Sequence, residues 1–245
     1  MPYGVPYLTI ITSEPTSVIK STSIIPACLS NLGADRSPIA FASPNLAELK
    51  HIYQAANSDE LALTSHPSWW GVIDGFSLGP EFRSDLERLA RQNVSDEDSS
   101  KGTLSFLVDD GVAQMVINLL PFIQNLIVKC GDRGVLVGIR ISGQDIQASP
   151  WSRMTVRPIH RLVVARGKSF KEMIVFQHFA PPMVENLVNV TGAGDTFVGI
   201  LLANLIQDPE TFLYPERLKR AVVAAQHGAA LTLQSASAVS PLLSH

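Results

Sequence analysis

The sequence predicts an α/β domain, a three-layer α/β/α sandwich around a mainly parallel sheet. Two observations lead to this prediction. Short apolar runs rich in β-branched residues alternate with longer segments that have helical spacing. Polar and glycine-rich motifs follow those runs, as ligand motifs do at the carboxyl ends of parallel strands. With 245 residues, 46% of them hydrophobic, the chain can form one large domain over residues 1–245.

Composition argues against several classes of function. The net charge of −3 provides no electrostatic basis for binding nucleic acid or a membrane surface. Cys28 and Cys130 lie far apart and in no metal-ligand spacing, so we expect reduced core thiols. No segment approaches the roughly 20 apolar residues that span a bilayer, and no basic region with an apolar run opens the chain. These features predict a cytoplasmic protein with small-molecule partners, and a homo-oligomer is possible.

The first predicted unit is a buried strand over residues 7–12 and the polar turn after it. Within that turn, Glu14 is a candidate for a role through metal-bound water. Lys20 is a candidate counter-charge for phosphate. A solvated turn with a helix cap explains the same residues equally well.

The second predicted unit is a short strand over residues 37–42 followed by a helix over residues 43–53. Asn45 and Glu48 are three residues apart, so they share one face at the start of that helix. An amide and a carboxylate so placed can hold waters around magnesium, a hard cation that prefers oxygen ligands. A capping box formed by the same two residues is the alternative.

The middle of the chain carries regular elements but little chemistry. The predicted elements, in order, are helices within residues 57–93, a polar surface loop at 95–102, a helix at 111–120, an irregular insertion at 142–158 and edge strands at about 159–165 and 173–178. Before the insertion, two apolar strands flank Gly131 and Gly134, a pattern that also fits a plain hairpin.

The motif with the most chemical content spans residues 188–197, where an extended run gives way to a buried helix. Gly192 and Gly194 let the main chain approach a ligand closely, and the positive end of the helix dipole favours an anion there. Asp195, in the first helical turn, would be repelled by a bound phosphate, which suggests a base. The alternative is a plain helix start with Thr191 as its cap and a structural Asp195.

The run Thr-Gly-Ala-Gly-Asp-Thr-Phe at residues 191–197 resembles the C-terminal signature of the ribokinase-like carbohydrate and nucleoside kinases. The resemblance implies that Asp195 deprotonates the acceptor hydroxyl. It implies that neighbouring amides form an anion hole for the transferring phosphate, and that Thr191 belongs to the phosphate-binding segment. The anion-hole residues are Gly192, Ala193 and Gly194.

Two positions depart from the pattern of that family. Many members carry Asp where this chain has Asn189, a departure that concerns the monovalent-cation site of the family and not the base; the resemblance still implies a possible monovalent cation. In the family, a Thr-Leu-Gly-x-x-Gly turn borders the ATP phosphates and ribose, whereas this chain has Lys129 in place of the hydroxyl residue. A C-terminal helix predicted over residues 215–234 lies where relatives border the adenine pocket. The ATP-binding residues that the resemblance implies are Lys129, Gly131, Gly134, Gln226 and His227.

Two further segments carry the resemblance. Pro-Asn-x-x-Glu at residues 44–48 matches the Asn-x-x-Glu motif that tunes magnesium and phosphate binding in these kinases. Glu-Pro-Thr-Ser-Val-x-Lys-Ser at residues 14–21 looks like the corresponding segment of the pseudouridine kinases within the family. Together they imply magnesium-assisted phosphoryl transfer from ATP to the 5'-hydroxyl of pseudouridine or of a related nucleoside or sugar.

The long N-terminal portion of such kinases is not found in this sequence. Missing are the Gly-Gly-x-x-x-Asn region, the acceptor-binding Asp and the lid strands. We therefore expect a partial ribokinase-like domain, the ATP-side part without the N-terminal part and lid. Some pseudouridine kinases are fused to a pseudouridine-5'-phosphate glycosidase domain, which makes such a domain a possible fused or associated partner. A non-catalytic ATP-side remnant or interaction module is one alternative, and another carbohydrate kinase is the second.

Overall fold

A four-stranded sheet forms the centre of the computed structural model, which describes residues 36–154, 161–167 and 171–244. The strands are β1 (Asn125–Lys129), β2 (Val135–Ser142), β3 (Leu162–Arg166) and β4 (Glu172–Phe179), in the order β1-β2-β4-β3. Every neighbouring pair is antiparallel, so the expectation of a mainly parallel sheet is wrong for these strands. Short turns join β1 to β2 and β3 to β4, and a tight turn can join only antiparallel neighbours. The strand predicted at residues 7–12 lies outside the described residues.

One parallel relationship is present beside β1. Isolated parallel bridges join Ile39 to Ile123, Ala42 to Leu126 and Asn45 to Lys129. This replaces the regular strand predicted at residues 37–42. The last of these bridges holds Lys129, at the end of β1, next to Asn45, the N-cap residue of the helix over residues 46–56.

The helices of the described chain agree broadly with the sequence pattern. They are α1 (Leu46–Ala56), α2 (Pro67–Phe76), α3 (Pro80–Ala90), α4 (Phe106–Asp109), α5 (Val112–Leu119), α6 (Asp145–Ala148), α7 (Ala193–Gln207) and α8 (Pro215–Leu233). Proline stands at the first turn of α2, α3 and α8, where its missing N–H costs no hydrogen bond. The predicted insertion after β2 contains α6 and a short 3-10 turn.

The sheet separates two apolar cores, which confirms the three-layer α/β/α arrangement. Leu126 and Val128 of β1 pack with α1, α2 and α5, whereas Ile127 packs with α7 and α8. The same alternation runs along β4, since successive strand residues point to opposite faces. β4 lies between β2 and β3, so its prediction as an edge strand is wrong; β3 stands at one end of the described sheet.

A buried ion pair connects β2 to β4. The guanidinium of Arg140, only 2% exposed, donates through Nε to Glu172 Oε2 at 3.0 Å and through a terminal nitrogen to Glu172 Oε1 at 2.7 Å. Its other terminal nitrogen donates to the Ser37 hydroxyl at 3.1 Å, which in turn donates to the Leu120 carbonyl at 2.6 Å. The sheet is therefore tied to the chain segment that precedes α1.

The thiol of Cys130 is buried at the end of β1, as expected for a core cysteine. Burial raises its pKa to about 12, which keeps the sulfur protonated at neutral pH. Cys28 lies outside the described residues. Among the helices of residues 36–154, 161–167 and 171–244, none combines the length and apolar character needed to cross a bilayer.

Candidate functional site

The residue that precedes α7 is a glycine in the left-handed conformation. Gly192 is the N-cap residue with φ of 82°, and no side chain caps the helix. The predicted cap, Thr191, instead donates its backbone N–H to the Asn189 side-chain oxygen at 2.9 Å. A Cβ on Gly192 would lie 1.8 Å from the Ala238 carbonyl oxygen, so both the left-handed backbone and the close approach require glycine.

The amides at this helix start are free to bind a ligand. The first helical bond runs from Thr196 N to the Gly192 carbonyl at 2.8 Å. Within the described part of the chain, the backbone N–H groups of residues 192–195 donate to no other group. Unpaired N–H groups carry the positive end of the helix dipole. The sequence-predicted anion-hole residues are thus together at one helix start, and the geometry can accept an anion.

A lysine amine stands beside these amides. The Nζ of Lys129 lies 3.8 Å from where a Cβ on Gly194 would be. Lys129 is half-buried, and its amine pairs with no carboxylate in the described residues. A cation so close to a helix N-terminus is repelled by it unless an anion lies between them. The lysine that replaces the family's hydroxyl residue therefore faces the predicted anion hole.

Asp195 lies in the first turn of α7 and is exposed. Its carboxylate accepts no hydrogen bond from another described residue. A carboxylate in this position is accessible to a substrate hydroxyl and is not occupied by a structural contact. The alternative of a structural Asp195 therefore has no contact to support it within the described chain.

Asn45 and Glu48 form a complete capping box at the start of α1. Glu48 N donates to Asn45 Oδ1 at 2.9 Å, Asn45 N donates to Glu48 Oε2 at 2.8 Å, and Asn45 Nδ2 donates to Glu48 Oε1 at 2.6 Å. Every side-chain oxygen of the pair already accepts one hydrogen bond and keeps one lone pair, which can still hold a water of hydrated magnesium. The capping alternative is confirmed as local structure, while the role toward magnesium stays a prediction.

The bridge from Asn45 to Lys129 joins this capping box to the helix start. Lys129 N donates to the Pro44 carbonyl at 2.9 Å, and the Lys129 side chain reaches Gly194. The predicted metal residues and the predicted anion hole are therefore connected through one lysine. Glu14 and Lys20, the other predicted phosphate-side residues, lie outside the described residues.

The turn between β1 and β2 has the glycine requirements that the family motif predicts. Gly131 and Gly134 have φ of 65° and 86°. A Cβ on Gly134 would lie 2.2 Å from the Phe179 carbonyl oxygen. The turn is thus packed against the end of β4, where the chain enters residues 180–183.

Residues 180–183 form one wall of a cleft of about 580 Å³, a size that suits a small-molecule ligand. His227 lines the cleft from α8. Gln226 does not line it, but its Nε2 donates to the Ala180 carbonyl at 3.0 Å and so supports the wall. Residues 95–97, predicted from the sequence only as part of a surface loop, also line the cleft. Arg161 donates a hydrogen bond to Asp96 in this loop at 2.6 Å. Because the two residues are far apart in sequence, no local pattern predicts that the loop lies beside the cleft.

His178 is hydrogen-bonded to the turn between β1 and β2. It is buried, and its ring Nε2 bonds to the Arg133 carbonyl at 2.7 Å, which identifies Nε2 as the protonated nitrogen. Desolvation lowers its pKa to about 4, so the ring is neutral at physiological pH.

This burial predicts a pH-dependent loss of stability. Because the folded-state pKa is below the unfolded value of 6.5, the unfolded chain binds the proton more tightly. The free energy of unfolding should therefore fall by up to about 3 kcal/mol as pH drops from about 6.5 to about 4. Urea unfolding of the wild type and of His178→Gln across that range measures the effect. An equal pH slope in the variant would assign the loss to other groups.

Paired glycine substitutions separate folding from binding at the helix start. Gly192→Ala should lower the free energy of unfolding by about 2 kcal/mol or more, through its positive φ and the overlap with Ala238. A Cβ at Gly194 would be in ordinary contact with Lys129 Nζ at 3.8 Å, and alanine gains helix propensity, so the stability of Gly194→Ala should be unchanged or up to about 1 kcal/mol higher. The methyl group would nevertheless lie beside Lys129 and the free amides, so if an ADP phosphate binds here, affinity for ADP should fall at least about tenfold. Urea unfolding and calorimetric titration with ADP check both variants; undiminished ADP affinity in Gly194→Ala would contradict an anion site here.

The chain resembles one named protein over most of its own length. The chain is 28% identical over 228 residues to a pseudouridine-metabolizing bifunctional protein of Schizosaccharomyces pombe; the match covers 93% of this chain and 25% of that protein. This chain therefore spans a quarter of the length of that relative.

Solved structures that resemble the chain are sugar kinases. A ribokinase from Cryptococcus neoformans in complex with ADP is 12% identical, with a TM-score of 0.42, covering 95% of this chain and 49% of that one. An Arabidopsis thaliana ribokinase complexed with ribose and ATP is 15% identical, with a TM-score of 0.37, covering 82% and 37%. Residues 164–244, which include α7 and α8, match the pfkB family carbohydrate kinases. The resemblance predicted from the motifs is thus confirmed over this part of the chain.

Proposed function

We propose that the chain supplies the ATP side of a kinase that phosphorylates the 5'-hydroxyl of pseudouridine or of a related nucleoside or sugar. The observation that best supports the proposal is the arrangement of polar groups at the first turn of α7. There, the free amides of residues 192–195 and the Lys129 amine can bind an anion, and the exposed carboxylate of Asp195 is adjacent to them. Anion binding next to an unoccupied base is the arrangement that phosphoryl transfer to a hydroxyl requires.

In the proposed reaction, Asp195 accepts the proton of the acceptor hydroxyl as the hydroxyl oxygen attacks the terminal phosphorus of ATP. The bond between that phosphorus and the bridging oxygen breaks, and ADP leaves. The amides of Gly192, Ala193 and Gly194 stabilise the charge on the transferring phosphoryl group. Lys129 adds a positive charge close to Gly194. These groups are in place before the reaction, so little reorganisation opposes it.

The cleft beside residues 180–183 is the proposed place for the nucleotide base. His227 borders it, while Gln226 and Gly134 support its wall. Magnesium, when bound with ATP, would neutralise phosphate charge. Asn45 and Glu48 would hold its waters with the lone pairs that the capping box leaves unused.

The relative in Schizosaccharomyces pombe supports pseudouridine as the acceptor, since its name describes a protein that metabolizes pseudouridine. Because that protein is bifunctional and much longer than this chain, a fused or associated glycosidase domain is part of the proposal. Residues upstream of those described would then supply the acceptor contacts.

Acceptor-dependent ADP formation tests the function. The chain and a version extended upstream are incubated with ATP, magnesium and either pseudouridine, uridine or ribose. We expect activity with pseudouridine in the extended form and calorimetric ADP binding by the 245-residue chain alone. Failure of both forms to make ADP, together with no ADP binding, would favour a non-catalytic remnant. A preference for ribose over pseudouridine would instead favour another carbohydrate kinase.

A further inference from the structure

The segment that precedes α7 is attached to the last residue of α8 and to the segment that follows it. Val188 N and Asn189 N both donate to the Leu233 carbonyl, at 2.8 and 3.1 Å. Further along, Gly192 packs against the carbonyl of Ala238. The position of the free amides at residues 192–195 therefore depends on how these two segments are held together.

The side chain of Asn189 contacts both segments. Its Oδ1 accepts a hydrogen bond from Thr191 N at 2.9 Å, which shapes the turn into Gly192. Its Nδ2 donates to the Ala236 carbonyl at 3.5 Å, a long contact that crosses to the other segment. One half-buried amide thus uses its acceptor on one segment and its donor on the other.

This arrangement does not fit the monovalent cation that the family resemblance implies beside residue 189. A cation at this place would need oxygen ligands, and an adjacent negative charge would stabilise it. Asn189 is neutral, and its N–H group is directed at the Ala236 oxygen. The amide therefore supplies no negative charge to a cation, and it directs a partial positive charge at the Ala236 oxygen instead.

We infer that Asn189 is a positioning residue that joins the two segments with its amide, so that anion binding at residues 192–195 is independent of potassium and sodium. Where the anion is taken to be the phosphate of a nucleotide, the inference rests on the proposed function. The role of Asn189 in joining the two segments does not depend on the proposed function, because the stability of the protein can be measured without any nucleotide.

Thermal unfolding of the 245-residue chain in potassium, sodium and tetramethylammonium chloride, at equal ionic strength, tests the inference. We expect the same Tm in all three salts for the wild type, and the same affinity for ADP. Asn189→Ala should lower Tm by about 2–4 °C in every salt, because about one hydrogen bond's worth of stability is lost. A wild-type Tm that rises with potassium, or an Asn189→Ala variant with unchanged Tm, overturns the inference.

Asn189→Asp provides the complementary result. It restores a carboxylate and removes the N–H group, so its Tm and ADP affinity should become higher in potassium than in tetramethylammonium. Asn204→Asp is the matched control, since Asn204 Nδ2 also donates to a carbonyl, that of Ile200 at 2.9 Å, but within a single helix. A potassium response of equal size in the control would contradict the assignment to residue 189. If ADP binds in no salt, the proposed function fails, and the unfolding data still decide the inference.

Discussion

Asp195→Asn is expected to lower pseudouridine-dependent ADP formation by about 10² to 10⁴, the usual contribution of a positioned proton acceptor. The amide of the variant cannot accept the proton, while the free amides of residues 192–195 remain. Because the side chain of Asp195 is exposed and contacts no other described residue, ADP affinity should change little. Initial rates of ADP formation by the upstream-extended protein, with calorimetric titration of ADP, measure the two effects.

Glu216→Gln is the matched control for this prediction. Glu216 is also an exposed carboxylate in the first turn of a helix, α8. Both substitutions remove a favourable interaction with a helix dipole, worth about 0.3–1 kcal/mol of stability. A base at residue 195 requires the rate to fall in Asp195→Asn alone; full activity in that variant would disprove the assignment.

Glu172→Leu is expected to destabilise the protein by about 3–5 kcal/mol, since it leaves the buried guanidinium of Arg140 without its carboxylate partner. The free energy of unfolding in urea measures the loss. Replacing both partners, as Arg140→Met with Glu172→Leu, should recover much of it, because no uncompensated charge then remains in the core. Comparing the single and double variants separates the free-energy cost of leaving Arg140 unpaired from the net contribution of the ion pair to stability.

The exposed pair of Arg83 and Glu87 on α3 provides the contrast. Its side chains are 83% and 44% exposed, so Glu87→Leu should cost no more than about 1 kcal/mol. Similar losses for Glu172→Leu and Glu87→Leu would mean that the buried pair does not hold β2 to β4 as the geometry indicates.

Local chemistry around α7 could be predicted from the sequence because it depends on adjacent residues. A glycine that must adopt positive φ and a helix that begins just after it are both encoded within residues 191–197. The same is true of the hairpin turn, where Gly131 and Gly134 have positive φ. In both places the structure agrees with the pattern.

Strand direction could not be predicted in the same way. β2 and β4 are apolar on both faces, a pattern that buried parallel and antiparallel strands share. Strand pairing depends on which distant segment packs beside a given strand, and here β4 lies between β2 and β3. The capping box was ambiguous for a related reason, because the spacing of Asn45 and Glu48 serves a cap and a metal-water site equally.

The sequence by itself therefore determined the kind of site: a glycine-held helix start with free amides and a carboxylate in its first turn. Only the tertiary structure decided what surrounds it. The approach of Lys129 to Gly194, the attachment of Asn189 to the C-terminal segment and the ion pair of Arg140 with Glu172 all join residues far apart in the chain. Such contacts follow from the packing of both cores against one sheet, and no local pattern of residues encodes them.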